Sequence, residues 1–264
     1  NSAPFIRAAI EAAKAAGPGA EVVIGPGEYR VMPEPNGGFC FPLVDAKGLT
    51  VRGTPGATHL VIFNPRSGGF LIQNSDDTWV RDVTIDYDPL PFTQGLVTAV
   101  DEAGKSFDFE VQEGYPLLAD WYFNDLPKPF GKWGMLYEKD QRRLKKGAPD
   151  FCFIDEFETL EGRAFRMYVA AGQEWKLRHF AVGDRYVQLA RSGNPPVNFQ
   201  ISRGCGVEDF TVYTGGGLAS AVIGSRDTTL RRFRVMFKPD TDRLLTTCAD
   251  GVHCQANIKG PLVE

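Results

Sequence analysis

The chain has 264 residues, a formal net charge of −4 and 43% hydrophobic residues. This length is enough for one large domain, or for one domain that carries an insertion. The net negative charge argues against nucleic acid as a partner, since phosphate recognition needs clustered cations. No apolar stretch approaches the ~20 residues that a membrane span requires, so no span is predicted.

The first predicted element is a helix in “NSAPFIRAAIEAAKAAGPG”. Asn1 or Ser2 can serve as its N-cap, Pro4 suits the first turn, and Gly17-Pro18-Gly19 ends the helix. The apolar residues recur at helical spacing, at Phe5, Ile6, Ala9, Ile10 and Ala13. An amphipathic helix at the open end of a stack of strands can cover exposed interior and unpaired edges. We therefore predict that it is a cap.

After this helix, the sequence indicates short strands and turns. “AEVVIGPGEYRV” predicts a strand, a Gly-Pro-Gly turn and a second strand. Three later stretches then repeat one pattern: “NSDDTWVRDVTIDY” (74–87), “ISRGCGVEDFTVYT” (201–214) and “GSRDTTLRRFRVMF” (224–237). The columns of this alignment are Ser75/Ser202/Ser225, Val80/Val207/Leu230, Val83/Phe210/Phe233 and Ile85/Val212/Val235. “QANIKGPLVE” extends the pattern, with Ala256 at the serine position.

The spacing of these repeats predicts the fold. Ser225 lies 23 residues after Ser202, and Ala256 lies 31 residues after Ser225. Repeats of this length, built only from strands and turns, are typical of a parallel β-helix whose coils bury their inner faces on one another. An antiparallel sandwich also uses short strands, but it gives no reason for repetition at coil length. We predict an all-β fold, a right-handed parallel β-helix with an N-terminal capping helix.

The repeat is interrupted between residues 88 and 198. “QGLVTAVDEAGKSFDFEVQEG” predicts a hairpin, and “RAFRMYVA” and “DRYVQLA” have the pattern of two-faced strands. A structureless loop of this length would be unusual, so we predict an inserted antiparallel, barrel-like β subdomain. The predicted domains are residues 1–87 (helix and first coils), 88–198 (insertion) and 199–264 (resumed coils).

The stretch “CADGVHCQANIKGPLVE” (248–264) carries the main candidate site. Equivalent positions of adjacent β-helix coils lie ~4.8 Å apart, so a polar column can assemble a site. Asp250, followed by Gly251, is predicted to bend out of the coil, because an ionised carboxylate resists burial beside Val252. The alternative is a turn aspartate that caps backbone amides. His253 is a candidate substrate-binding residue, and a buried or turn-bonded histidine is the alternative.

Three further residues are candidates for binding substrate. Asp240 and Asp242 lie in “KPDTDRLLTTCAD”, where a longer coil predicts a loop on the binding face. They can bind hydroxyls or a cation, or can be solvated turn residues. Trp133 can form a sugar platform or can be a packing residue. No HxH or CxxC spacing occurs, so we predict no metal and no cofactor, and the five scattered cysteines predict no disulfide framework.

Parts of the sequence resemble known families. “AIEAAKAAGPGAEVVIGPGEYRV” resembles the opening of the pectate-lyase-like superfamily of right-handed β-helices. “IDYDPLPFTQGLVTAVD” and “TCADGVHCQANIKGPLVE” resemble glycoside hydrolase family 110, the α-1,3-galactosidases, whose members carry an inserted barrel-like subdomain. The resemblance implies that Asp250 is the acid of the first catalytic coil. A paired Asp-Asp is then expected one coil later, beyond Glu264, so that the chain is expected to be a fragment.

The resemblance implies an inverting exo-glycosidase that acts on galactose-containing glycans. Such enzymes hold an acid and a base carboxyl roughly 6.5–9.5 Å apart. One alternative is a polysaccharide lyase, which would use Asp240, Asp242 and Arg243 as cation ligands and base. The other is a non-catalytic glycan-binding segment. In each case the expected partner is an oligosaccharide or polysaccharide, and the expected location is secreted or periplasmic.

Overall fold

The structure is a computed structural model that describes residues 1–124, 126, 132–191 and 193–264. Its helices are α1 (Ala3–Ala16), α2 (Trp121–Asn124) and a 3₁₀ helix (Glu174–His179). None of the helices in these ranges is long and apolar enough to cross a membrane.

The strands are short and follow one another closely along the chain. Before residue 88 they are β1 (Glu21–Val23), β2 (Gly27–Val31), β3 (Phe39–Val44), β4 (Thr50–Arg52), β5 (Thr58–Ile62), β6 (Gly68–Gln73), β7 (Trp79–Arg81) and β8 (Thr84–Tyr87). The next six are β9 (Phe92–Asp101), β10 (Ser106–Val111), β11 (Trp133–Tyr137), β12 (Cys152–Thr159), β13 (Ala164–Val169) and β14 (Arg185–Leu189). The last eight are β15 (Val197–Gln200), β16 (Gly206–Glu208), β17 (Thr211–Val212), β18 (Ser220–Ile223), β19 (Thr229–Arg231), β20 (Arg234–Val235), β21 (Val252–Gln255) and β22 (Leu262–Val263).

These strands form three parallel sheets and one closed antiparallel barrel. The orders of the parallel sheets are β1-β4-β7-β16-β19-β22, β2-β5-β8-β17-β20 and β3-β6-β15-β18-β21. The barrel has the order β10-β13-β12-β11-β14-β9. All of its strand pairs are antiparallel, including the hairpin of β9 and β10 that the sequence predicts. We call the three sheets together the parallel body.

The structure contradicts the predicted fold class, a right-handed parallel β-helix for the chain. In the described residues the strands form three parallel sheets and a closed six-stranded antiparallel barrel. They do not form a single right-handed β-helix. The prediction was wrong because the columns come only from stretches that pair in parallel. Matching columns indicate which strands lie side by side. They do not indicate whether the connections between those strands are right-handed or left-handed.

The barrel does not disturb the pairing on either side of it. Val197 of β15 pairs with Phe70 of β6, 127 positions earlier, and the same offset separates Val207 of β16 from Val80 of β7. The parallel body is therefore continuous across the barrel. Its core includes a chain of aromatic rings from successive strands and turns, with centroid distances of 5.0 Å for Phe41–Phe70, 6.2 Å for Phe70–Phe210 and 6.0 Å for Phe210–Phe233.

Helix α1 packs against one end of the parallel body. Its apolar stripe of Ala3, Ile6, Ile10 and Ala13 is buried, and the helix contacts β1 and β3. The side chain of Asn1, rather than that of Ser2, accepts the first helical N–H, with 3.1 Å between Asn1 Oδ1 and Ala3 N.

A buried ladder of side-chain oxygens joins successive turns of the parallel body. The backbone N–H of Ser75 donates to Ser202 Oγ (3.2 Å), and that of Ser202 donates to Ser225 Oγ (3.1 Å). The next rung is Asn257, whose Oδ1 accepts from the Ser225 N–H at 3.0 Å. The repeat pattern put Ala256 at this rung, so the predicted alignment is wrong by one residue in this last repeat.

The ladder predicts unequal effects of two identical substitutions. Ser202 Oγ accepts from Ser75 and also lies 3.1 Å from the Ile72 carbonyl oxygen. Ser202→Ala leaves these buried groups unpaired and should lower the free energy of unfolding by about 1–3 kcal/mol. Ser220 is equally buried, but its hydroxyl has no partner in the described part of the chain. Ser220→Ala should be neutral or stabilising in the same urea titration, and equal losses at both sites would contradict the ladder.

Candidate active site

The segment between β20 and β21 leads to the candidate catalytic residue and is fixed by a buried ion cluster. Arg243 binds Asp86 of β8 through two contacts, NH1–Oδ1 at 2.7 Å and NH2–Oδ2 at 3.2 Å. Lys238 also contacts Asp86 Oδ2, at 2.9 Å, and Arg243 donates to Thr214 Oγ1 at 3.0 Å. The segment is thus anchored to the parallel body.

The other side of this segment packs against the barrel. Leu244, Leu245 and Cys248 are buried in one cluster with barrel residues Phe92, Tyr137, Val187 and Leu189. The backbone of Leu244 donates to Gln94 Oε1 of β9 at 2.9 Å. Residues 238–248 therefore join the barrel to the parallel body and fix the position of the chain just before Asp250.

The structure gives the two candidate acids of this segment different surroundings. Asp242 accepts hydrogen bonds from Gln112 and from Tyr115, the latter at 2.7 Å. Burial alone would raise the pKa of Asp242, but these bonds lower it below its ordinary value. Asp240 is exposed and has a left-handed backbone, with φ of 57°. Asp242 therefore links the segment to the barrel, and substrate binding by either acid stays a prediction.

Asp250 and His253 form a side-chain pair at the edge strand β21. Asp250 Oδ2 lies 3.0 Å from His253 Nδ1, and the two side chains are 62% and 42% exposed. An ionised carboxylate can only accept, so Nδ1 is the donor, and in the neutral imidazole Nε2 is then an acceptor. The backbone carbonyls of Asp250 and Gly251 accept from Ala219 (2.9 Å) and Ser220 (3.1 Å), which fixes this turn on β18.

The repeat pattern of the sequence predicts that Asp250 shares a column with Phe70 and Ser220, and His253 with Gln73 and Ile223, and the pairing register corrects both. Val252 pairs with Ser220, and His253 pairs with Ala221. Asp250 thus precedes the strand by two residues instead of sharing the column of Ser220. His253 shares its row with Ala221 and with Asn198 of β15. Asn198 Oδ1 is buried without a hydrogen-bond partner among the described residues.

Trp133 lies on the outer side of the barrel, within an aromatic cluster. Its ring centroid is 4.7 Å from that of Phe151 and 6.1 Å from that of Phe153. The Arg191 guanidinium lies 5.0 Å from the Trp133 ring centroid. Trp133 is half-buried, and its indole N–H lacks a partner in the described ranges. The ring faces are thus occupied by protein groups, which favours the packing alternative; sugar binding at Trp133 stays a prediction.

Arg191 is a half-buried cation beside Trp133. Burial raises the pKa of the Cys248 thiol, and the charge of Arg191 partly opposes this rise. No carboxylate in the described part of the chain pairs with Arg191. An unpaired guanidinium can donate to sugar hydroxyls. Sequence reasoning missed Arg191, because neither repeat columns nor a motif mark it.

The chemistry available at this site is that of an exposed carboxylate, an imidazole and nearby hydrogen-bond donors. A carboxylate and an imidazole are the commonest general acids and bases. Within the residues that the structure describes, no group of three or more His, Cys, Asp or Glu side chains is placed to hold a metal ion.

Comparison with known proteins relates the chain to a glycosidase. No family model matches it. It is 23% identical to a protein from Akkermansia muciniphila named alpha-1,3-galactosidase B, in an alignment of 284 residues that covers 99% of this chain. The alignment covers 34% of the relative, so the chain spans about a third of its length. This weak similarity supports the glycosidase part of the sequence resemblance, and it lends no support to the pectate-lyase-like superfamily.

Proposed function

We propose that the chain is part of a glycoside hydrolase that acts on galactose-containing glycans. The observation that carries the proposal is the similarity, along nearly the whole chain, to the relative named alpha-1,3-galactosidase B. The exposed Asp250–His253 pair adds support, because it offers a carboxylate within reach of a substrate. Both residues lie at an edge strand beside β18, where a sugar can approach from solvent.

Asp250 is the proposed catalytic carboxylate, and the proposed stereochemistry is inversion. Inversion requires an acid and a base whose carboxyls are roughly 6.5–9.5 Å apart, with a water held between the base and the sugar. The hydrogen bond from His253 orients the Asp250 carboxylate. In the neutral imidazole, Nε2 of His253 can then accept a hydrogen bond from a substrate hydroxyl.

The structure favours the hydrolase over the lyase alternative. A lyase would need Asp240 and Asp242 as free cation ligands and Arg243 as a free base. Asp242 is bound by Gln112 and Tyr115, and Arg243 is held by Asp86 in a buried pair. These contacts give Asp242 and Arg243 structural partners, whereas the side chain of Asp250 bonds to His253 alone among the described residues.

The proposal is tested with an α-1,3-linked galactose disaccharide and the natural protein that carries this sequence. Proton NMR of the first product should show β-galactose, because inversion at an α-linked anomeric carbon gives the β anomer. The rate should be unchanged by a metal chelator. α-Galactose as the first product would exclude inversion. An ultraviolet absorbance rise from an unsaturated product, dependent on calcium, would instead support a lyase. Binding without turnover would support a glycan-binding segment.

A further inference from the structure

A cavity of about 470 Å³ lies where the barrel meets the 238–248 segment. Leu96 of β9 supplies exposed apolar surface, and the almost fully buried Val111 of β10 and Leu244 of the segment complete the apolar lining. Leu96 is 49% exposed although it is a large apolar residue. Ligand pockets are typically clefts of roughly 300–1,000 Å³ with apolar walls and a few polar groups. The cavity meets this description, and neither Asp250 nor His253 lines it.

Arg185 is the arginine of the cavity whose guanidinium is free to bind a ligand. It is the first residue of β14, and no hydrogen bond or ion pair joins its guanidinium to another of the described residues, while its charge helps to lower the pKa of Asp242. The second cavity arginine, Arg163, already donates to the carbonyls of Val111 (3.0 Å), Gln112 (2.9 Å) and Tyr115 (2.6 Å). Arg163 therefore shapes the wall, and Arg185 offers donors to a ligand.

Two carboxylates balance the charge of this wall. Glu110 and Glu113 line the cavity and are exposed, and neither is bonded to another described side chain. Two arginines and two glutamates give the lining no net charge. Asp242, whose carboxylate binds the cavity residue Gln112, adds negative charge beside it. An anionic ligand would be repelled by these acids, whereas a neutral ligand with many hydroxyls can bind both the donors and the acceptors.

We propose that this cavity is a second carbohydrate-binding site that takes a neutral sugar unit of one or two residues. The proposal rests on the proposed function, which makes glycans the ligands of this protein. Arg185 donates to sugar hydroxyls, Glu110 and Glu113 accept from them, and the exposed Leu96 contacts the C–H face of the ring. The site would hold one part of a glycan on the barrel while another part of the same glycan reaches the Asp250–His253 pair.

The test follows the methyl NMR signals of Leu96 and Leu244 in the chain with leucine methyls labelled. The probe is the α-1,3-linked galactose disaccharide, added to the Asp250→Asn variant so that turnover does not deplete it. Both methyl signals should shift with saturating sugar, while those of the core residue Leu60 should not. Arg185→Ala should weaken the dissociation constant by about tenfold or more, the effect of losing charge-assisted hydrogen bonds.

Arg166→Ala is the matched control. Arg166 lies on β13 of the same barrel, pairs with Asp108 and does not line the cavity. It should leave sugar binding unchanged. Unmoved Leu96 and Leu244 signals, or equal affinity in Arg185→Ala, would overturn the proposal. Tighter binding of galacturonic acid than of galactose would overturn the neutral-ligand assignment. These readouts need no catalysis, so their failure is distinguishable from failure of the hydrolase proposal.

Discussion

Asp250→Asn should lower the kcat of sugar release by about 10²–10⁴-fold, the usual contribution of a general acid or base. Asparagine keeps the shape of the side chain and removes the charge and the titrating proton. The fold should not change, because the Asp250 side chain is 62% exposed and, within the described ranges, bonds only to His253. The measurement is kcat on the α-1,3-linked disaccharide in the natural protein, with circular dichroism and the thermal midpoint as folding readouts.

Asp227→Asn is the matched control for this substitution. Asp227 is also a partly exposed aspartate of the parallel body, and its basic partners are Lys259 on a neighbouring turn and the adjacent Arg226. Asn tolerates its left-handed backbone, with φ of 55°. The control should keep full kcat, since an exposed ion pair contributes only about 0–1 kcal/mol to stability. Undiminished kcat in the Asp250 variant would remove that residue from the mechanism.

Local self-similarity in the sequence located many of the strand neighbours. Val80, Val207 and Leu230 share a column in the sequence and are direct partners in the structure. Ser75, Ser202 and Ser225 likewise form successive rungs of one ladder. These neighbours were predictable because each turn must bury the same inward side chain and satisfy the same buried N–H. The ladder rung at Asn257 was missed because an amide can replace a hydroxyl as acceptor with a shift of one residue.

Contacts between remote segments could not be read from the sequence. Asp86 and Arg243 are 157 positions apart, and nothing local to either marks them as a pair. The contact of Trp133 with Arg191 depends on closure of the barrel, which brings β11 beside β14. By contrast, Asp250 and His253 are three positions apart, so a pattern of residues in one short stretch was enough to select both. The sequence could therefore select candidate residues but could not show which of them the fold engages elsewhere.

Asp86→Asn should lower the free energy of unfolding by about 3–5 kcal/mol, the usual cost of removing one partner of a buried ion pair. The variant leaves the Arg243 guanidinium buried without its carboxylate, and Lys238 also loses its partner. The side chains of Asp86 and Arg243 are only 7% and 11% exposed, so water cannot replace the lost contact. The measurement is the urea midpoint at neutral pH, with the m-value to confirm two-state unfolding.

Asp108→Asn in the barrel tests whether the stability that an Asp–Arg pair contributes depends on its burial or on its two-contact geometry. Asp108 also receives two contacts from one arginine, Arg166, at 2.8 and 3.0 Å. The Arg166 side chain is 41% exposed, so solvent screens the pair and its loss should cost about 0–1 kcal/mol. If both variants lost the same stability, the two-contact geometry rather than burial would be the cause.

The pH dependence of stability provides an independent test of the buried pair. Burial alone would raise the pKa of Asp86, but the hydrogen bonds and charge of Arg243, together with the bond from Lys238, hold it below its ordinary value. A carboxyl whose pKa is lower in the folded than in the unfolded state stabilises the fold above its unfolded pKa of about 3.9, and this contribution is lost as pH falls through the folded pKa. The difference in unfolding free energy between the wild type and Asp86→Asn should therefore be constant near neutral pH and shrink below about pH 4. If the difference in unfolding free energy stayed the same at acid pH, the charge of the Asp86 carboxylate would not be what stabilises the 238–248 segment.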